Sequence, residues 1–183
     1  GEDIFSPNRF LQYKLDDAAF AVVCSGYFCN HLKNEMGLDK PEKIHLNYHG
    51  LDPRVLDHVP DKQFRERTAD EPLRLISIGR LVPTKGHDVL IRACAALLDS
   101  GRELQLSIIG SGPIEQELKA LAEAEGIARK VDFRGALAFA DVLEALDQSD
   151  IFCLAPRLIP GHPPDGIPNV IAEAMALRLP VVT

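Results

Sequence analysis

Cysteine pairing is the first thing this sequence lacks. Its four cysteines, Cys24, Cys29, Cys94 and Cys153, form no C-x-x-C pair. Three of them lie in apolar runs of strand or helix character. That spacing argues against a disulfide frame or a zinc site and reads as reduced, buried thiols. The six histidines also lack metal-ligand spacing. His45 and His49 are four apart, but Pro41, Gly50 and Pro53 make a helix there unfavourable. Basic clusters are missing as well. The formal charge is −7, and the densest basic stretch, residues 63–67, is interrupted by Glu66. No nucleic-acid face is expected. No apolar run approaches the roughly 20 residues of a membrane span; the longest uncharged one, over 18–26, has the length of a strand. No signal-peptide pattern opens the chain, and a cytoplasmic location is expected.

What is present is an ordinary globular composition, 46% hydrophobic, 26% charged and 6% aromatic over 183 residues. A chain of this length can bury a real core. From Leu73 onward, short apolar runs alternate with helix-period segments. Strands are expected over 73–79, 104–109, 130–133, 151–154 and 180–183. Helices are expected over 88–98, from Pro113 to near Gly126, over 139–146 and over 168–177. The helix over 88–98 has apolar positions 89, 90, 93, 94, 97 and 98. This alternation predicts an α/β fold, a Rossmann-like doubly wound parallel sheet covered on both faces. Ligands of such sheets bind beyond the carboxyl ends of the strands.

The first part of the chain reads differently. Helices are expected over 10–19 and 27–36, and strands over 20–24 and 43–48. Residues 50–70 hold two prolines, many charges and little periodicity, and read as a linker. Two domains follow, 1–66 and 67–183. The chain stops inside what reads as a buried strand, so a piece of a longer protein is expected.

Three constellations carry chemistry. Gly79-Arg80-Leu81-Val82-Pro83-Thr84-Lys85-Gly86 lies between a strand and a helix. Gly79 is expected to let the chain turn sharply. Arg80 and Lys85 bring two cations to a loop whose end, at Gly86 and His87, opens a helix with free N–H groups. Gly110-Ser111-Gly112-Pro113 is too short for a G-x-G-x-x-G fingerprint, because Glu115 replaces the third glycine; it fits a tight turn close to a nucleoside. Residues 165–175, from Asp165 to Met175, place Pro168 at a helix start, with the N–H groups that follow it facing a cleft. Asp165 and Glu173 suit sugar hydroxyls, which carboxylates bind through charge-assisted hydrogen bonds. Each residue also has a plainer reading. Arg80 and Lys85 fit solvated loop cations, Asp165 a helix-initiating acid and Glu173 a solvated helix position. Taken together, the three segments describe a nucleotide-sugar site.

Four segments resemble a known family: S-I-G-R-L-V-P-T-K-G (77–86), I-I-G-S-G-P (108–113), V-D-F-R-G (131–135) and D-G-I-P-N-V-I-A-E-A-M-A-L-R-L-P-V-V-T (165–183). They look like the donor domain of family 4 retaining glycosyltransferases with the GT-B fold, in the variant found in bacterial exopolysaccharide enzymes of the colanic-acid type. Val22-Val23-Cys24-Ser25 and Tyr48-His49-Gly50-Leu51-Asp52 look like the end of the acceptor domain and the crossing into the donor domain. Asp165 replaces the more common Glu, and Arg178 stands where the family commonly has Gly or a small residue.

The resemblance implies a hexosyltransferase-type enzyme. It would move a sugar from a UDP-, GDP- or ADP-linked donor to a saccharide or lipid-linked acceptor, with retention and without a metal cofactor. Arg80 and Lys85 would hold the diphosphate and stabilise the departing nucleotide. Asp165 would contact the transferred sugar and Glu173 the ribose. The backbone of Gly166, Ile167, Pro168, Asn169 and Val170 would face phosphates and sugar. Gly79 would belong to the diphosphate loop, and Gly110, Gly112, Arg134 and Gly135 would border the base. Related enzymes use lipid-linked acceptors, so peripheral association with the inner membrane face is a further expectation. Two other readings stay open: a nucleotide-sugar epimerase of the same fold, for which His87 and His162 are the candidate histidines, and a non-catalytic nucleotide-sugar-binding module.

Overall fold

A computed structural model describes residues 9–36, 38, 40–57, 68, 71–160 and 168–183. The chain divides into two compact units. One is Gly1–Gly50 with Leu158–Asn169, and the other is Leu51–Arg157 with Val170–Thr183.

In the first unit, helix α1 (Arg9–Asp17) is followed by strand β1 (Ala21–Val23), helix α2 (Gly26–Asn34) and strand β2 (Ile44–Leu46). The two strands pair in parallel, Ala21 with Ile44 through Val23 with Leu46. Ser25 caps α2: its side chain accepts a hydrogen bond from the Phe28 N–H at 3.2 Å, satisfying one donor that a helix start leaves unpaired. Val23, Phe28, Cys29, Leu32, Leu38 and Ile44 form a small separate core. Lys43 Nζ donates to the Asp16 and Ala18 carbonyls at 2.8 and 2.6 Å, completing the end of α1.

The second unit opens earlier than composition led us to expect. Residues 50–70 were expected to be linker, but helix α3 (Pro53–Asp57) forms inside that stretch. Asp52 accepts from the Arg54 N–H at 2.9 Å, and Pro53 stands where a missing N–H costs nothing. Val55 is fully buried in the core of the second unit. α3 therefore belongs to the second unit, which begins at Leu51, ahead of the 66/67 boundary read from composition.

The remaining elements are β3 (Leu73–Ile78), α4 (His87–Asp99), β4 (Leu104–Ile109), α5 (Glu115–Ala124), β5 (Val131–Gly135), α6 (Phe139–Asp147), β6 (Ile151–Cys153), α7 (Asn169–Ala176) and β7 (Val181–Val182). They build one parallel sheet in the order β5-β4-β3-β6-β7. Parallel neighbours need long crossovers, which the helices supply. β3 and β4 pair along their whole lengths, Leu73 with Leu104 through Ile78 with Ile109. Adjacent residues of β3 face opposite sides. Leu75 joins a core with Ile91 and Cys94 of α4 and Leu118 and Ala122 of α5. Ile76 joins a second core with Val55, Leu143 and Leu146 of α6, and Ala174 of α7. The sheet is therefore covered on both faces, as the apolar character of its strands requires.

α4 is rotated relative to the expected face. Leu90, Ile91, Cys94 and Ala95 are buried, whereas Val89 and Leu97 are exposed. The buried stripe also takes in His87, at the three-to-four spacing of a helix face. α5 begins at Glu115, later than Pro113, because Gly112 and Glu115 first close a turn (Glu115 N–H to Gly112 carbonyl, 3.3 Å). α7 begins at Asn169, with Pro168 immediately before it. At the amino edge of the sheet, Arg74 holds Asp150 through its guanidinium (Nη2 to Oδ1, 3.0 Å) and its backbone N–H (2.8 Å), fixing β3 against β6. The four cysteines are free, and burial pushes Cys94 and Cys153 up to about 11.

Candidate functional site

Strand order reverses between β3 and β6, since β4 and β5 extend to one side of β3 and β6 and β7 to the other. The carboxyl edge at such a reversal opens a crevice between loops that diverge. The loop after β3 contains Arg80 and Lys85, so topology alone brings the expected cations to this place.

The loops after β3 and β4 are stitched to each other and to the carboxyl ends of β4 and β5. The Gly79 N–H donates to the Ile109 carbonyl at 3.0 Å, Leu81 N–H to Ser111 at 3.0 Å, and Gly110 N–H to Gly135 at 2.8 Å. A glycine is needed at 110, where φ is +138° and a Cβ would lie 1.9 Å from the Gly79 carbonyl oxygen. Gly79 itself differs from expectation. Its φ is not in the left-handed region, and a Cβ there would meet only the Lys85 stem, 3.5 Å away, so the turn does not depend on its being glycine. Gly79, Lys85, Gly110, Gly112 and Gly135 thus come together, with Gly112 packed close on the Leu81 carbonyl.

The cationic loop ends in a 3₁₀ turn, Pro83–Lys85, and in Gly86 at φ +67°. A Cβ at Gly86 would lie 1.8 Å from the Ala155 carbonyl oxygen, in the loop after β6. Arg80 is exposed, and its side chain makes no hydrogen bond or ion pair among the described residues. The same holds for Arg134, near the end of β5. Lys85 is half-buried, with its stem lying along Gly79.

His87 does not line a cleft. Its ring is fully buried, and its Nδ1 stands 3.2 Å from the buried Ser77 hydroxyl. The epimerase reading needed accessible histidines; His87 is not one, and His162 lies outside the described residues.

Glu173 of α7 is half-buried, and its carboxylate makes no hydrogen bond or ion pair among the described residues. Burial raises its pKa, with a further contribution from the charge of Asp52. Asp52, by contrast, is held down to about 2, first by the Arg54 guanidinium (Nη2 to Oδ2, 2.6 Å) and then by the Arg54 N–H. The Arg54 guanidinium also covers the Phe139 ring, 4.7 Å from its centroid. The sequence reading named Asp52 only as part of the crossing between domains and did not single out Arg54, although Asp-Pro is a helix-start signal. Asp165, Gly166 and Ile167 lie outside the described residues. Pro168 and Asn169 fall in the first unit, Val170 and Glu173 in the second. Among the described residues, no group of three or more His, Cys, Asp or Glu gathers as a metal site, and no helix is long and apolar enough to cross a membrane.

The model of the family described as "Glycosyl transferases group 1" matches residues 59–183. The chain belongs to this family. It is 33% identical over 143 residues to the putative colanic acid biosynthesis glycosyltransferase WcaL of Salmonella typhimurium, covering 78% of this chain and 34% of that protein. It is 32% identical over 145 residues to the amylovoran biosynthesis glycosyltransferase AmsK of Erwinia amylovora, with the same coverage of each chain. The chain thus spans about a third of the length of the curated relatives it matches. Among solved structures, Anabaena Alr3699/HepE in complex with UDP and glucose aligns at a TM-score of 0.74 and 20% identity, over 94% of this chain and 46% of that one. The pneumococcal O-GlcNAc transferase GtfA in complex with UDP and GlcNAc aligns at 0.70 and 17%, over 94% and 31%. At these identities the likeness establishes the fold, and the structural neighbours of this group 1 chain are GT-B glycosyltransferases.

Proposed function

We propose that the protein transfers a sugar from a nucleotide-sugar donor to a saccharide or lipid-linked acceptor, with retention at the anomeric carbon, and that the second unit binds the donor. The observation that carries this reading is the loop at the strand-order reversal. There Gly79 to Gly86 presents Arg80 to solvent with no partner among the described residues and holds Lys85 along the backbone of Gly79. Two cations on a loop stitched to its neighbours offer a preformed anion site that reorganises little when filled.

In this reading Arg80 and Lys85 hold the donor diphosphate and offset the charge that develops on the departing nucleotide, without a metal ion. Glu173 accepts hydrogen bonds from the ribose hydroxyls. Gly110, Gly112, Arg134 and Gly135 border the base. Asp165 takes the transferred sugar and Gly166 to Val170 the phosphates, as the family resemblance assigns them. The names of WcaL and AmsK, polysaccharide-building enzymes, support the reaction class. The UDP complexes of similar folds support a nucleoside diphosphate as ligand.

Calorimetry against UDP, GDP and ADP, with and without magnesium, tests the proposal on the full chain. Metal-independent binding of one of them, weakened in Arg80→Ala and in Lys85→Ala, is the expected result. Unchanged affinity in both variants would defeat the phosphate assignment.

A further inference from the structure

One side chain ties the loop that leaves β6 to the loop that leaves β3. Arg157 Nη2 donates to both carboxylate oxygens of Asp88, at 2.9 Å each. Its Nε donates to the Pro83 carbonyl at 3.2 Å, and its backbone N–H donates to the Thr84 carbonyl at 2.9 Å. All three partners belong to the short stretch 83–88 that contains Lys85. The contact of Gly86 with Ala155, two residues before Arg157, brings the same two loops together through backbone.

We infer that Arg157 is a positioning residue: it holds the 83–88 turn, and with it Lys85, in the shape that receives the donor diphosphate. The inference rests on the reading of Gly79–Gly86 as the diphosphate loop. Two arguments carry it. First, the pair is partly exposed, with 41% of the Arg157 side chain and 28% of that of Asp88 accessible. Partly exposed ion pairs contribute little to global stability, so the consequence of these bonds is local. Secondly, the turn they hold is intrinsically weak. A single 3₁₀ turn has poor hydrogen-bond geometry, and the glycine after it is conformationally free. A guanidinium contributes a planar set of donors that spans Asp88 and the Pro83 carbonyl together, which an ammonium cannot do. Holding a binding loop in its bound shape raises affinity by removing an ordering cost at the moment of binding.

The test is the affinity of the full chain for UDP, GDP and ADP, measured in Arg157→Ala, Asp88→Ala, the double variant, Arg157→Lys and Arg80→Ala. Asp88→Ala separates positioning from simple charge. Removing an acid beside a diphosphate site tightens anion binding if only the field matters, whereas loss of the brace weakens it. The expected result is a loss of about tenfold in Arg157→Ala and in Asp88→Ala, no further loss in the double variant, and partial recovery in Arg157→Lys. Thermal melts of the same variants check folding, and Asp88→Asn serves if Asp88→Ala does not fold. Wild-type affinity in Arg157→Ala, tighter binding in Asp88→Ala, or losses that add in the double variant overturn the inference. If Arg80→Ala weakens binding while Arg157→Ala does not, the positioning role alone fails. If no nucleotide binds, or Arg80→Ala binds normally, the diphosphate reading fails and the inference falls with it.

Discussion

His87 Nδ1 stands 3.2 Å from Ser77 Oγ, and neither residue reaches solvent. Ser77 belongs to β3 and His87 opens α4, so the pair joins the two elements that flank the cationic loop. The other ring nitrogen, Nε2, makes no hydrogen bond of acceptable geometry among the described residues. Burial is the largest influence on the imidazole. With the nearby Lys85 charge it outweighs the opposing effects of the Arg80 backbone and Asp88, and lowers the pKa from 6.5 to about 4.

Acid therefore destabilises the second unit through His87. Below pH 6.5 the unfolded chain binds a proton that the folded chain refuses, so stability falls as pH drops through the window from 6.5 to about 4. At about 1.4 kcal/mol per pH unit, the contribution approaches roughly 3 kcal/mol at the bottom of the window. Urea unfolding at pH 7 and pH 4.5, in the wild type and in His87→Gln, measures it. The variant should lose the His87 share of the pH dependence; an identical slope would assign that dependence to other groups.

A methyl group at position 110 cannot be accommodated. Its carbon would meet the Gly79 carbonyl oxygen at 1.9 Å, and the φ of +138° is unfavourable for any side chain. Gly110→Ala should cost about 2 kcal/mol or more, a fall of roughly 4–8 °C in Tm. It should also weaken nucleotide binding, because the displaced backbone is that of Gly79. A melt within 1 °C of wild type removes the steric argument.

Arg178 sits at φ +59° just past the end of α7. Its N–H donates to the Met175 carbonyl at 3.0 Å, and the Leu179 N–H donates to Ala174 at 2.9 Å, so the residue closes the helix in the left-handed conformation that glycine favours. Arg178→Gly should raise stability by about 1 kcal/mol with nucleotide affinity unchanged. Denaturant midpoints decide this, and destabilisation would mean that the Arg178 side chain contributes more than its backbone strain costs.

Glu173 tests the ribose assignment. Burial disfavours its charged form, so Glu173→Gln removes an unfavourable charge and should leave the melt unchanged or raise it. The same change removes a charge-assisted acceptor and should lower affinity for the ribonucleoside diphosphate about tenfold. Its effect on the 2′- and 3′-deoxy analogues should be smaller. An unfolded variant would make Glu173 structural.

Local pattern made the sheet legible. Apolar runs of strand length alternate with helix-period segments from Leu73 onward, and nothing but a parallel sheet with two covered faces buries both. The glycine-bounded loops and their cations were legible for the same reason, since Gly79 to Gly86 lies where a strand hands over to a helix. Val55 was not legible. It is a single apolar residue among charges and prolines, and its burial depends on a groove built by α6, α7 and the sheet. The rotation of α4 was hidden too, because Val89 and Leu97 are as apolar as the residues that are buried.

The sequence by itself determined which backbone segments could pair and which loops would carry charge, because both follow from residue type and spacing along the chain. Only the tertiary structure decided which distant groups meet. Arg157 and Asp88 are 69 residues apart and Arg74 and Asp150 76 apart. Their encounters depend on strand order, since β6 returns beside β3 and brings its loop against the loop that β3 begins.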